Sequence, residues 1–552
     1  MHWKSLAAGA LLSWTAAAST TSCTVQGINA ALSPFDRAEV VFAVSLGANS
    51  SFGQLGDIAF PTNATYLPRS CAVLVNVTTP ANSSYTFGLF LPEADEWNKR
   101  TLTVGNSGFV GGVNWLAMGD GLKYGFASMS TDTGHNSTGI DMAWALNKPE
   151  AKKNWSYRAL HGSVVLAKKI VGSYYDENIR YNYYSGCSTG GRQGIKSAQD
   201  FPEDFDGVLA GAPAWWSTHQ QLWQLKVGAV NLPETSPSFI PSSKFSWISD
   251  AVLAQCDGSD GLEDGIIQNP ANCHLRIGEL ICTDKSTKKS QCLTAPQAET
   301  LRQLYLPMTQ TDASPNRITA LYPNFGLGSE AQMPSSFGAN NNPSPYGTDY
   351  AKYYLFDDPA WDWAESFNYS TWAEADALNH GGVNALNFNM TPFRSRGGKL
   401  LTYHGYADGL IPTGASALLY DKIQTAMAPS GAKMEDFYRL FMVPGMQHCQ
   451  QSVHDAPWYF GGSGQVSALS GSSEQLGRLP LAGAADGRHD ALLALMRWVE
   501  DGEAVEEIVA TKWRGDSLAE GVLRQRPLCS WPKQAVYRGV GDVDEAGSWR
   551  CS

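Results

Sequence analysis

The segment that most narrows what this chain can fold into is Gly186-Cys187-Ser188-Thr189-Gly190. A G-x-S-x-G run carries glycine at both flanks because its serine sits on a tight, strained strand-to-helix turn where side chains would clash. The flanking sequence supplies that context. Arg180 to Ser185 is aromatic-rich and reads as a short strand, and Arg192 to Gln199 reads as the start of a helix. A chain with 54 glycines can also hold a serine in an ordinary glycine-rich turn, but such a turn has no need of both flanking elements. The cysteine next to the serine has a counterpart far downstream, where His448 is followed at once by Cys449. A disulfide between Cys187 and Cys449 would tie the neighbour of a nucleophile to the neighbour of a base.

The chain is 552 residues long, several times a typical domain, so more than one domain or a large insertion is expected. Hydrophobic residues make up 43% and charged residues 17%, which suits a large globular core. From about residue 35 to 214, β-like runs alternate with helical ones. Thr101 to Val104 is a strand ahead of Gly105-Asn106-Ser107-Gly108, Tyr157 to Val171 has helical spacing, and Gly207 to Ala212 is a short apolar strand. From 215 to 392 the chain turns rich in Pro, Ser, Asn and aromatics, with few strand-like runs. The α/β pattern resumes at Gly398 to Tyr403, continues through Phe437 to Pro444, and ends in a helix from about His489 to Asp501. The expected organisation is one α/β catalytic domain, 19–214 plus 393–552, interrupted by a lid domain, 215–392.

Partners for Ser188 follow in a telling order. In α/β-hydrolases the nucleophile is followed by an acid and then a histidine, on loops after strands. Asp408 lies just past the Leu400 to Tyr403 strand, and His448 just past the Leu440 to Val443 strand. Ser188 is too weak an acid to attack unaided. His448 is expected to take its proton and Asp408 to orient the imidazole. His404 precedes the acid and so breaks the order; it reads as a structural loop histidine. His135 and His161 have no matching context. Two backbone donors are needed for the oxyanion, and the candidates are the amides of Thr189 and of Gly108 in the loop after the Val104 strand.

Several features point to export. Lys4, the apolar run Leu6 to Ala18 and the small residues Ala16-Ala17-Ala18 read as a cleaved signal peptide over 1–18. No later stretch is long and apolar enough to span a membrane, so the mature chain is expected to be soluble and extracellular. Asn-x-Ser/Thr sequons at Asn49, Asn63, Asn76, Asn82, Asn136, Asn154, Asn368 and Asn389 would each mark surface if glycosylated. The ten cysteines contain no C-x-x-C, which argues against zinc and for disulfides. Local spacing suggests Cys256 with Cys273, Cys282 with Cys292, Cys529 with Cys551 and Cys23 with Cys71, leaving Cys187 for Cys449. Spacing alone does not prove these connectivities. A formal charge of −12 and the lack of basic runs exclude nucleic acid as the expected partner.

The acidic segment Cys256 to Ile266 alternates aspartates with glycines. Carboxylates of Asp257, Asp260 and Asp264, with carbonyls of Leu262 and Ile266, are candidate oxygen ligands for a structural calcium ion, although the spacing is not that of an EF-hand. The alternative is a solvated acidic turn closed by the Cys256 and Cys273 pair.

By Gly186 to Gly191, the His404 to Pro412 segment, His448-Cys449 and the acidic loop, the chain resembles the tannase and feruloyl esterase family of secreted fungal and bacterial esterases over nearly all of its mature length. The resemblance implies an α/β-hydrolase fold with a large lid, a disulfide joining the cysteines beside serine and histidine, calcium in the lid loop, and Ser188, Asp408 and His448 as the triad. The family usually shows Gly-Asn-Gly-Gly where Gly105-Asn106-Ser107-Gly108 stands, which bears on the Gly108 donor. The implied substrates are feruloyl or coumaroyl esters of plant cell-wall polysaccharides, with tannase action on galloyl esters as the alternative. Trp215-Trp216, Trp223, Trp361 and Trp363 are candidates for an aromatic slot, against the plainer expectation of lid core. A serine peptidase of the same fold and a non-catalytic wall protein are the rival classes.

Overall fold

Nine strands form one sheet in the computed structural model, which describes residues 22–33, 35–283, 288–311, 318–481 and 483–552. They are β1 (Ala38–Leu46), β2 (Ser70–Thr78), β3 (Ser84–Pro92), β4 (Arg100–Val104), β5 (Ala127–Thr131), β6 (Tyr181–Cys187), β7 (Gly207–Gly211), β8 (Lys399–Gly405) and β9 (Tyr438–Val443). Their spatial order is β1-β2-β3-β5-β4-β6-β7-β8-β9. The first three strands and the β3–β5 pair run antiparallel, and from β5 through β9 every pair is parallel. This is an α/β-hydrolase sheet. The signal-peptide expectation falls on residues outside those described.

The parallel strands read as unbroken apolar runs because both faces of the sheet are covered. Side chains alternate faces along a strand. Accordingly Tyr184, Val208, Ala210, Leu400 and Leu440 join one core, while Tyr183, Leu209, Leu401 and Phe441 join the other. The flanking helices start at polar caps. Asn114 accepts from Ala117 N ahead of α1 (Trp115–Lys123), and Asp490 accepts from Leu493 N at the start of the last long helix, Ala491–Glu500. Between them come α2 (Ala159–Tyr175) and α3 (Thr189–Asp200), the helix that follows the elbow.

β7 and β8 pair directly, yet more than 180 residues lie between them, and none of the described residues of 212–398 contributes a strand to the sheet. This segment holds α4 (Ser217–Val230) and α5 (Phe245–Cys256) and builds a third core with Trp223, Phe245, Tyr322 and Tyr354. That core also takes in Phe109, Trp155 and Ile411, so the inserted segment shares packing with loops of the sheet. Trp215 and Trp223 are fully buried. Near the C-terminus β10 (Glu507–Trp513) and β11 (Val522–Cys529) form a separate antiparallel hairpin.

All five cysteine pairs suggested by spacing are disulfide-bonded, Cys187 with Cys449 among them. Among the sequons, Asn154 departs from the surface expectation. It is 1% exposed, and its side chain binds Ser84 O, Ser83 Oγ and Arg158 Nε, so it is a structural amide. Among the described residues no helix is long and apolar enough to cross a membrane.

Candidate active site

Ser188 sits between β6 and α3 with φ 64° and ψ −122°, a left-handed backbone that a non-glycine residue adopts only where its surroundings impose it. Those surroundings are visible. Ser188 N donates to Gly211 O at 3.0 Å, Ala214 N donates to Ser188 O at 3.2 Å, and Tyr184 Oη donates to Gly190 O at 2.6 Å. A Cβ on Gly190 would lie 2.7 Å from Asn106 O, so the elbow can approach the β4 loop this closely only with glycine there.

The β4 loop is locked to the nucleophile helix by a reciprocal pair of amides. Asn106 N donates to Gln193 Oε1 at 3.0 Å, and Gln193 Nε2 donates to Asn106 Oδ1 at 3.1 Å. Asn106 Nδ2 in turn reaches the carbonyls of Gly112 and Thr131. This holds Gly108 beside the elbow, where Thr189 Oγ1 donates to Gly108 O at 2.8 Å. Gly108 has φ 47°, and its N–H has no backbone acceptor among the described residues. Thr189 is the first residue of α3, where the amide has no intrahelical acceptor. Gly108, Ser188 and Thr189 all line one cavity of about 350 Å³.

His448 reaches the same cavity from the loop after β9. Its Nδ1 lies 2.7 Å from Asp408 Oδ2. Asp408 is fully enclosed, and each of its oxygens has a separate task. Oδ1 accepts from the amides of Leu410 and Ile411, both at 2.8 Å, which fixes the carboxylate plane. Oδ2 faces His448 Nδ1 and also His404 Nε2, at 3.0 Å. Burial alone would raise this carboxyl, but the His448 charge and the hydrogen bonds from the two imidazoles outweigh it and hold Asp408 well below the usual carboxylate range. Because Oδ2 only accepts, both facing ring nitrogens carry protons. That leaves His448 Nε2 without a proton and able to accept one, on the side of the ring away from Asp408.

The cysteines beside Ser188 and His448 are joined, and positive φ occurs at Ser188 itself and at Cys449, the residue after His448, with φ 68°. The bond fixes the separation of two loops that chemistry needs in register. Replacing both cysteines by alanine is expected to lower kcat on the order of 100-fold, the cost of an ångström-scale misplacement. Steady-state kinetics on an aryl ester with a circular-dichroism control for folding checks this, and wild-type turnover would remove the bond from the catalytic framework.

Three supports went unread in the sequence. His404 is a residue of β8 rather than of a loop. It is fully buried, with Nδ1 2.7 Å from Ser416 Oγ and Nε2 on both Asp408 and Ile411 O. Gln332, from the inserted segment, accepts with one oxygen from Gly409 N at 2.9 Å and from His448 N at 3.0 Å. Asn106 and Gln193 are the third. Among the described residues no tryptophan lines the cavity. Its apolar lining includes Phe109, Tyr346, Leu410 and Ile411, and Gln220, Gln221 and Gln224 of α4 line it too.

The acidic loop lies apart from this cavity and is organised internally. Asp257 Oδ1 accepts from the amides of Asp264, Gly265 and Ile266, and Asp260 Oδ1 accepts from Leu262 N. The Asp264 carboxylate is taken by Arg526 of β11, Nη2 to Oδ2 2.7 Å, in a buried pair. Among the described residues no three carboxylate, imidazole or thiol groups converge as metal ligands. A guanidinium therefore sits beside Asp264, one of the five candidate calcium ligands Asp257, Asp260, Leu262, Asp264 and Ile266.

A sequence profile for tannase and feruloyl esterase matches residues 71–552. The chain belongs to the tannase and feruloyl esterase family. It is 34% identical over 487 residues to a probable feruloyl esterase B-1 of Aspergillus fumigatus, a match covering 87% of this chain and 85% of the relative. It is 32% identical over 485 residues to a probable feruloyl esterase B-2 of Aspergillus terreus, covering 87% and 86%. The crystal structure of feruloyl esterase B from Aspergillus oryzae superposes with a TM-score of 0.83 at 29% identity, covering 94% of this chain and 97% of that one. Tannin acyl hydrolase from Aspergillus niger shares the fold, with a TM-score of 0.73 at 20% identity over 96% of each chain. This member of the family is a carboxylic ester hydrolase.

Proposed function

We propose that this family member is a secreted serine esterase that hydrolyses hydroxycinnamate esters, feruloyl or coumaroyl, of plant cell-wall polysaccharides. The observation that carries the acyl specificity is the match, end to end over most of both chains, to relatives named feruloyl esterase B. Five disulfides, which persist in oxidising compartments, support export.

The mechanism follows from the groups around the cavity. His448 Nε2 takes the proton of Ser188 Oγ as that oxygen bonds to the ester carbonyl carbon. The amides of Thr189 and Gly108 donate to the carbonyl oxygen as it gains charge. The carbon–oxygen bond to the alcohol breaks, the alcohol leaves with the proton from His448, and an acyl-enzyme remains on Ser188. Water then attacks the acyl carbon, giving its proton to His448, and Ser188 departs with that proton, releasing the free acid. Asp408 stays ionised throughout and stabilises the imidazolium.

A panel of methyl ferulate, coumarate, caffeate, sinapate and gallate tests the acyl assignment. Turnover of the cinnamates with kcat/KM at least about ten-fold above gallate is expected, on the scale by which one ring contact discriminates. Preference for gallate would instead make the chain a tannase.

A further inference from the structure

The catalytic cavity has one wall made of carboxamides. Gln220, Gln221 and Gln224 lie on α4, one after another along the side of the helix that lines it. Two of them are anchored to the loop of the catalytic acid. Gln220 Nε2 donates to Leu410 O at 2.9 Å while its Oε1 accepts from Tyr322 Oη at 2.7 Å, so this amide is satisfied at both ends. Gln224 Nε2 donates to the same Leu410 O at 2.7 Å. That bond settles which end of the Gln224 amide is which, since a flipped amide would set two carbonyl oxygens against each other. Its Oε1 is consequently an acceptor, enclosed and without a hydrogen-bond partner.

Gln221 is different again. It is 5% exposed, and neither of its amide atoms bonds to a described residue or is sealed in as Gln224 Oε1 is. Its free carboxamide therefore opens on the cavity it lines. An amide left uncommitted in a buried wall is costly unless something in the cavity meets it. The same cavity has apolar lining suited to a ring: Phe109 and Tyr346, edge to face with centroids 5.2 Å apart, with Leu410 and Ile411. An aromatic acyl group in this cavity would meet the Gln221 carboxamide oxygen through a ring substituent that can donate a hydrogen bond. A phenolic hydroxyl does so; a methoxy group or a hydrogen does not.

We propose that Gln221 is the specificity determinant that reads a hydroxyl on the ring of the acyl group. This rests on the hydroxycinnamate assignment and deepens it: the enzyme recognises a phenol, not merely an aryl ring. Leu410 links recognition to chemistry, because the residue that anchors two of the glutamines also donates its amide to Asp408 Oδ1.

The test compares kcat/KM for methyl 4-hydroxycinnamate, methyl 4-methoxycinnamate and methyl cinnamate in the wild-type enzyme and in Gln221→Met, which keeps the length of the side chain and removes its carboxamide. The wild type is expected to favour the 4-hydroxy ester over both others by roughly ten-fold or more, and Gln221→Met to reduce that ratio about ten-fold. A wild-type ratio near one overturns the proposal whether or not the variant folds. So does an unchanged ratio in a folded variant, including one in which all three esters fall together. Wild-type enzyme that cleaves methyl gallate but none of the three cinnamates would sink the hydroxycinnamate assignment itself. Cleavage of all three with no hydroxyl preference sinks only the role of Gln221.

Discussion

Ser188→Ala is expected to lower kcat by roughly a million-fold while leaving the fold intact, the scale on which removing the nucleophile of a serine triad acts. The change deletes one oxygen. Ser188 makes its tethers through the backbone, N to Gly211 O and O from Ala214 N, and both survive the substitution. The left-handed backbone at this position is as available to alanine as to serine, so circular dichroism and the thermal midpoint should stay close to wild type. The measurement is burst-free, single-turnover hydrolysis of an aryl ester. Residual activity within ten-fold of wild type would remove Ser188 from the reaction. The same result would revive a binding-protein reading, in which the cavity holds a ligand without cleaving it.

Asp408→Asn should cost about 10,000-fold in kcat, as expected when the acid of a triad is replaced by its amide. The local geometry makes the loss predictable from hydrogen bonds. Oδ1 is committed to two backbone donors, Leu410 N and Ile411 N, so asparagine must place its own oxygen there. Its NH2 then occupies the position of Oδ2, directly against His448 Nδ1 and His404 Nε2. Donor meets donor twice. The relief available to His448 is to move its proton to Nε2, the atom that has to accept from Ser188, and the base is lost. His404 faces the same clash but can still donate to Ile411 O. A kcat within ten-fold of wild type, with melting unchanged, would show that Asp408 is not the acid.

The sequence was most legible where function forces local pattern. Ser188, Asp408 and His448 each stand at the end of an apolar run, and those runs are β6, β8 and β9, each within a residue or two of its expected bounds. Doubly covered strands write themselves as continuous hydrophobic stretches, and an elbow writes itself in glycines. The supports left no such trace. Gln332 lies far from both of the amides it binds, Asn106 and Gln193 are joined across two elements, and Arg526 reaches Asp264 from the far end of the chain. A single glutamine or arginine has no periodicity, so its partner is set by the folded topology alone. His404 was misplaced for a related reason: chain order ruled it out as the base, and order says nothing about a second histidine on the same carboxylate.

Gln332 also limits how freely this enzyme can be rebuilt. One oxygen atom of the inserted segment braces both the acid loop and the base loop. Swapping that segment between relatives to change substrate range would transplant part of the catalytic apparatus along with the specificity surface. Chimaeras joined at the ends of the insertion would then succeed or fail on whether the incoming segment brings a carboxamide to this point. Gln332 lies outside the cavity lining yet binds both loops, so a directed-evolution library should hold it fixed.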